Sequence, residues 1–321
     1  MNHDVLAALP LAPPLKGNPP SPAERFVPAE RRATGKRADE TVAALVGAVS
    51  APALRDTVET LAAFHTRHTF SPLIGPAADE VADRLSEAGY PDVTRRTWTN
   101  AGHSADNVIC TKPGTAAGVP DLVLCAHYDS RTADLGDVMA RAPGADDNAS
   151  GVAATLEIAR LLAPVALART VRFVAFSGEE QGLWGSTAYA AALHAAGTEP
   201  CRVVNLDMVG RPPADGAVTV ERDLGNAVPG NDAASLALGA VMAQAAADLT
   251  TLPVHLGPIY ASDYMPFEAR GDVAIGAYEG EGNPHYHQSS DEPATLDYEY
   301  LADVTRFTLA TVLAEALDAT G

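Results

Sequence analysis

The chain has 321 residues, of which 47% are hydrophobic and 20% are charged, so it can bury a sizeable core as a soluble globular protein. The net charge of −19, from 22 Lys and Arg against 41 Asp and Glu, disfavours nucleic acids and anionic membranes as partners. The sequence contains no run of about 18 apolar residues, so it predicts no membrane-spanning helix.

Residues 1–37 are rich in Pro, Ala and Arg, which is typical of an extended arm rather than of a folded unit. The first 16 residues lack a basic segment and an uninterrupted apolar stretch, so no secretion signal is predicted. The location stays open between the cytoplasm and secretion with a signal already removed. Each of the three cysteines lies in or beside an apolar run, which predicts buried free thiols: Cys110, Cys125 and Cys201.

The first part of the predicted domain is helical. Apolar residues recur at helical spacing over residues 38–65 with a break at 50–52, which predicts two helices. A third amphipathic helix is predicted over residues 75–89, where a glycine ends it. Three strands follow. The first two form a pair at residues 93–98 and 107–111, and the wholly apolar run 122–126 is typical of a central strand.

Helices and strands alternate through the remainder of the chain. Helices are predicted over residues 151–162, 182–195, 231–247 and 298–317. Strands are predicted over residues 171–176, 202–206, 216–220 and 272–277. This alternation predicts one α/β domain over residues 38–321, with a mixed, mainly parallel central β-sheet flanked by helices.

The strand at residues 171–176 leads directly to two adjacent carboxylates, Glu179 and Glu180. In an open α/β sheet, ligands bind in the crevice outside the strand ends. Two neighbouring glutamates there repel each other and are costly to desolvate unless a cation lies beside them. The alternative is that the pair only begins a helix, where the macrodipole favours acidic residues.

Other acidic residues and histidines also follow the predicted strands: His127, Asp129, Asp147, Asp207 and His287. Carboxylates and imidazoles without a thiolate suit zinc, cobalt or manganese in a catalytic site. Five such ligands with one shared carboxylate would hold two ions about 3.5–4 Å apart. Taken singly, each residue has a plainer explanation, such as a hydrogen-bonded histidine or an aspartate that caps a helix.

Five motifs in the order of one family carry a resemblance from about residue 40 to the C-terminus. They begin at His127, Gly144, Ser177, Asn205 and Tyr286, and read HYDS, GADDNASG, SGEEQG, NLDM and YHQSSD. Together they resemble the di-zinc exopeptidases of the bacterial leucyl aminopeptidase family. The resemblance implies the zinc-exopeptidase fold, hydrolysis of the N-terminal residue of a peptide or aminoacyl substrate, and two zinc ions, which cobalt or manganese can replace.

The resemblance also implies a role for each site residue. Asp147 would bridge the two ions, and the peptide bond after it would be cis. Glu180 and His287 would complete one site, and His127 and Asp207 the other. Glu179 would be the general base, and Asp129 would be the partner of His127. Tyr286 would steady the oxyanion or form the pocket wall.

The pocket and the rival functions depend on a few further residues. Met208, Tyr278 and Tyr286 lie next to ligand positions and are expected to line an apolar side-chain pocket. Tyr264 stands where many relatives have histidine, so the contacts between side chains in this part of the pocket are expected to differ. Arg211 is the candidate cation if the enzyme is instead a carboxypeptidase or dipeptidase.

Two other functions are compatible with such a scaffold. A glutaminyl cyclase is disfavoured because the ligand set is complete for two metals. A non-catalytic binding domain is disfavoured because all five ligand-type residues and Glu179 are present. The sequence predicts neither the side-chain preference nor the oligomeric state.

Overall fold

The computed structural model describes residues 24–29, 36–198 and 201–317. Within these residues, nine strands form one mixed sheet. The strands are β1 (Glu24–Arg25), β2 (Thr94–Asn100), β3 (His103–Lys112), β4 (Leu122–His127), β5 (Val171–Phe176), β6 (Arg202–Leu206), β7 (Val218–Arg222), β8 (Val254–Pro258) and β9 (Val273–Tyr278). Their spatial order is β1-β8-β7-β9-β6-β4-β5-β3-β2.

The centre of the sheet is parallel. Strand β4 pairs in parallel with β5 and β6, and β6 pairs in parallel with β9. Antiparallel pairs lie on both sides, where β3 joins β5 and β7 joins β9. The predicted mixed α/β sheet is therefore confirmed, and the parallel strands bring their carboxyl ends to one edge.

Helices cover both faces of the sheet. They are α1 (Lys36–Gly47), α2 (Ala51–Ala62), α3 (Ile74–Glu87), α4 (Gly151–Leu162), α5 (Trp184–Ala195), α6 (Asp232–Leu249), α7 (Met265–Glu268) and α8 (Tyr298–Ala316). Side chains alternate along β4, so Leu122 and Leu124 belong to the core under α2, α4 and α8, and Val123 belongs to the core under α5 and α7. Burial of both faces explains why the central strands are apolar throughout.

Among the α-helices and strands, the predicted elements agree with the structure except at three short ones. The short helix α7 and the two-residue strand β1 were not predicted, because each is too brief to show periodicity. Strand β8 was not predicted either, because Gly257 and Pro258 interrupt its apolar character. Cys110, Cys125 and Cys201 are buried and form no disulfide, as expected.

Part of the predicted N-terminal arm lies along the sheet. Glu24 and Arg25 of β1 pair antiparallel with Leu256 and His255 of β8. Residues 1–23 and 30–35 of the arm lie outside the described residues. Within the described part of the chain, no helix is long and apolar enough to cross a membrane.

Candidate metal centre and active site

The predicted site residues converge at the carboxyl edge of the parallel strands. His127 ends β4, Asp207 follows β6 directly, and Glu179 and Glu180 follow β5. The loop after β9 supplies His287, and the turn at residues 145–150, between β4 and α4, supplies Asp147. All six side chains are buried.

Asp147 occupies the middle of this cluster, with each carboxylate oxygen beside a different histidine. Its Oδ1 lies 3.3 Å from Nε2 of His127, and its Oδ2 lies 3.1 Å from Nε2 of His287. His127 Nε2 is also 3.4 Å from Asp207 Oδ1, and His287 Nε2 is 3.1 Å from Glu180 Oε2. The five residues thus form two groups of three that share Asp147.

These distances fit zinc. Two ligand atoms bound to one zinc ion at a tetrahedral angle lie about 3.3 Å apart, because zinc bonds to nitrogen and oxygen are about 2.0–2.2 Å long. The four distances within the two groups span 3.1 to 3.4 Å. In the described part of the chain, the buried Oε1 of Glu180 also accepts no hydrogen bond, so it remains open to a cation. The imidazole and carboxylate donors are those of catalytic zinc sites.

Hydrogen bonds hold the turn that carries Asp147. The carboxylate of Asp291 accepts hydrogen bonds from the backbone amides of Asp146 and Asp147, each at 3.0 Å. The Asp147–Asn148 peptide bond is cis, which confirms the expectation. The Asn148 side chain donates to the carbonyl of Leu206 at 2.9 Å, so the turn is fastened to the end of β6.

His127 is oriented by the residue two positions further on. Its Nδ1 donates to the backbone carbonyl of Asp129 at 3.2 Å, while the nearer carboxylate oxygen of Asp129 is 3.5 Å away. This leaves Nε2 facing Asp147 and Asp207. The Asp129 carboxylate instead accepts from the Thr69 hydroxyl at 2.8 Å and from the amide of Glu180 at 3.3 Å.

A second hydrogen-bonded pair orients Asp207. The Ser262 hydroxyl donates to Asp207 Oδ2 at 2.5 Å and accepts from the Asn205 side chain at 2.8 Å. Tyr264 is fully buried nearby, and a side chain on Gly276 would lie 2.7 Å from its ring. The tyrosine therefore fills space beside β9 and does not join the ligand set.

Glu179 lies within the same cluster, with its carboxylate close to His127 and Asp207. Burial raises the pKa of Glu179 well above its ordinary value, and the neighbouring Glu180 and Asp207 raise it further, although His127 opposes them. Burial lowers the pKa of His127, but the carboxylates of Glu179 and Asp207 outweigh this effect and raise it well above the usual value. The site therefore favours protons or cations.

The remaining predicted residues lie around the ligands. Met208 and Tyr278 are buried, and the carbonyl of Met208 accepts from the amide of Glu279 at 2.8 Å. The half-buried Tyr286 stacks its ring on that of His287, with centroids 3.7 Å apart. Arg211 is half-buried, and its backbone amide donates to Glu279 Oε2 at 3.0 Å.

Sequence reasoning missed two arginines that hold the site. Buried Arg131 donates from Nε to Oε2 of Glu180 at 2.7 Å. Buried Arg67 donates to the carbonyls of Tyr128 at 2.7 Å and Gly144 at 2.8 Å, which joins the loops that carry His127 and Asp147. Arg131 directly follows the first motif and could have been noticed there, whereas no sequence pattern marks Arg67.

The fold and the ligand cluster define a metallohydrolase, and comparison with known proteins gives its family. The model of Peptidase family M28 matches residues 107–312, so the chain belongs to that family and is a zinc-dependent metallopeptidase. A probable zinc metalloprotease of Leptosphaeria maculans is 29% identical over 85% of this chain and 76% of its own length. One of Pyricularia oryzae is 35% identical over 54% of this chain, which spans only 38% of that protein.

Solved structures agree with the fold. The aminopeptidase LapA of Legionella pneumophila superposes with a TM-score of 0.75 over 90% of this chain and 78% of its own, at 20% identity. The zinc aminopeptidase BSAP of Bacillus subtilis superposes with a TM-score of 0.55 at 27% identity, over 67% of this chain and 51% of its own. The predicted zinc-exopeptidase fold is thereby confirmed.

Proposed function

We propose that the enzyme is an aminopeptidase that binds two zinc ions and removes the N-terminal residue of peptides. The observation that carries this proposal is the position of Asp147, whose two oxygens face different histidines. Asp147, Glu180 and His287 would hold one ion, and Asp147, His127 and Asp207 the other. Bound zinc supplies Lewis acidity, which polarises a carbonyl and makes water a better nucleophile.

Glu179 is the general base in this proposal. Its carboxylate is buried beside the ligands, and its raised pKa brings its proton affinity closer to that needed near neutral pH. Glu179 would take a proton from the attacking water and return it to the leaving amine. Asp129, through its carbonyl, keeps Nε2 of His127 directed at the ligand cluster. Tyr286, whose ring stacks on that of His287, would steady the oxyanion or line the pocket.

The charge of the site favours a substrate with a free α-amine. Carboxylates surround the ligands, and the buried Asp263, whose pKa is raised to about 7 by burial, adds a further acid near Glu179 and Asp207. Such a site attracts an ammonium group and repels a substrate carboxylate. The name of the Bacillus subtilis relative, a zinc aminopeptidase, supports the same reading.

The carboxypeptidase alternative needs a cation that is available to a substrate carboxylate. The guanidinium of Arg131 is already engaged with Glu180, which leaves Arg211 as the candidate.

The apolar residues Met208 and Tyr278 beside the ligands favour an apolar first residue in the substrate.

The test makes two comparisons of hydrolysis rates. The first is between leucine 4-nitroanilide and its N-acetyl form, and the second is between a peptide with a free C-terminus and the same peptide as its C-terminal amide. We expect acetylation to abolish cleavage and amidation to have little effect. Cleavage that tolerates acetylation but requires a free C-terminal carboxylate would replace this proposal with a carboxypeptidase.

A further inference from the structure

Four aromatic rings lie together beside the Glu179 segment. Phe70 and His103 stack with ring centroids 3.9 Å apart, and Trp184 lies 5.6 Å from Phe70. Trp98 lies beneath, with its centroid 5.7 Å from that of Trp184. Trp98 is buried, whereas Phe70 and Trp184 are half-buried and His103 is exposed. We call Phe70, His103 and Trp184 the aromatic shelf, since they form the accessible side of this cluster.

The aromatic shelf is fastened to the residue that precedes Glu179. The amide of Gly178 donates to the hydroxyl of Thr69, the neighbour of Phe70, at 3.0 Å. The amide of Trp184 donates to the carbonyl of Gly178 at 2.8 Å. Hydrogen bonds therefore fasten the chain at Phe70 and at Trp184 to the backbone of Gly178, which precedes Glu179.

The strand register places the shelf at the same edge of the sheet as the ligands. Strand β3 runs antiparallel to β5, with Val108 opposite Ala175. His103 begins β3, so it lies beyond the carboxyl end of β5, where Glu179 and Glu180 also lie. The third ring thus joins the other two next to the candidate general base.

The direction of proton transfer identifies what the shelf would bind. A base that returns its proton to the leaving amine must lie on the leaving side of the scissile bond. We infer, on the basis of the proposed function, that the aromatic shelf binds the side chain of the second substrate residue and favours an aromatic one there. Stacked and tilted rings of this kind offer faces and edges to another ring.

The kinetic test compares Leu-Phe-NH2 with Leu-Gly-NH2 in the zinc-loaded enzyme. We expect kcat/KM to favour Leu-Phe-NH2 by about 10-fold or more, since apolar pocket contacts discriminate on this scale. Phe70→Ala and the exposed His103→Ala should each reduce this ratio several-fold. Phe26→Ala and His255→Ala serve as matched controls at the opposite edge of the sheet and should leave it unchanged. A ratio near one, or one that neither shelf variant alters, overturns the inference.

A binding test needs no turnover, because the only two tryptophans of the chain, Trp98 and Trp184, both lie in this cluster. In Glu179→Gln, Leu-Phe-NH2 should change tryptophan emission saturably, and Leu-Gly-NH2 should not. Adding Phe70→Ala should remove the change, and no change with Leu-Phe-NH2 overturns the inference. If tryptophan emission responds but the enzyme also cleaves the N-acetylated substrate, the aromatic shelf is supported and the aminopeptidase is rejected. If both amides are cleaved without preference, the aminopeptidase is supported and the aromatic shelf is rejected.

Discussion

Arg131 and Glu180 form a buried ion pair at the edge of the ligand cluster, with Nε and Oε2 2.7 Å apart. The same oxygen of Glu180 lies 3.1 Å from Nε2 of His287. A buried carboxylate among other acids is costly unless a cation accompanies it. Arg131 therefore stabilises Glu180 in the position from which it can bind a metal.

Replacing Arg131 should weaken metal binding. We expect Arg131→Ala to lower zinc affinity about 10–100-fold, as is usual when a residue that orients a ligand is lost. Arg131→Lys should retain part of the affinity, because it keeps the charge but not the planar guanidinium. Competition with a chelator measures the affinity. The control is Arg172→Ala, which breaks a similar pair with Asp121 at the other end of β5. Unchanged affinity in Arg131→Ala would rule out this role.

Replacing Arg67 should affect both stability and metal binding. Arg67 is fully buried and donates to the carbonyls of Leu61, Tyr128, Pro143 and Gly144, so its loss removes one hydrogen-bond donor from each of these groups. We expect Arg67→Met to cost about 3–5 kcal/mol of unfolding free energy. The buried Arg169 offers a matched control, because it donates to the carbonyls of Glu315 and Pro120, away from the ligand loops.

Denaturant unfolding and zinc titration separate the two effects. Arg67→Met and the control Arg169→Met should both lose stability, but only Arg67→Met should also bind zinc more weakly, since Arg67 joins the loops of His127 and Asp147. Equal zinc affinity in the two variants would show that Arg67 serves the fold alone.

The stability of the metal-free protein should fall as pH rises above neutrality. Burial lowers the pKa of His287, but Glu180 and Asp147 outweigh it and raise that pKa to about 9. Burial, aided by Asp146, raises the pKa of Asp291 to about 8. A pKa that is higher in the folded than in the unfolded protein stabilises the fold at low pH, and the contribution is lost as pH rises through the folded value.

The expected window for His287 runs from its unfolded pKa of about 6.5 to about 9, and the loss is about 3 kcal/mol. Asp291 acts with the same sign and completes its loss by about pH 8. Urea unfolding of chelator-treated protein between pH 6.5 and 9 measures the decline. Zinc-loaded protein is the control and should decline less, because a metal replaces the proton on a histidine ligand. Stability that rises with pH in the metal-free protein would contradict this account.

The sequence predicts the position of a candidate site residue well where that residue follows a strand. The apolar runs at 171–176 and 202–206 match β5 and β6 at both ends, since each stops at residues that cannot extend a buried strand. Parallel strands then bring Glu180 and Asp207 to one edge without further information.

Contacts that depend on tertiary packing could not be predicted in this way. Arg67 and Thr69 lie in an irregular segment between α2 and α3, some sixty residues before the loops they hold. Their hydrogen bonds go mostly to backbone carbonyls and to Asp129, and such partners leave no periodic pattern in a sequence. Strand β8 was missed for a related reason, because Gly257 and Pro258 interrupt its apolar character.

Zinc content and turnover of Glu179→Gln and Glu180→Gln, measured on the same preparations, test the central claim most directly. Glu179→Gln should keep about two zinc ions per chain and lose at least about 10²–10⁴-fold in kcat, because the amide cannot carry the proton. Glu180→Gln should bind less zinc, because an amide is a weaker ligand than a carboxylate. A Glu179→Gln enzyme that loses zinc, beside a Glu180→Gln enzyme that keeps two ions, would contradict the assigned roles of base and ligand.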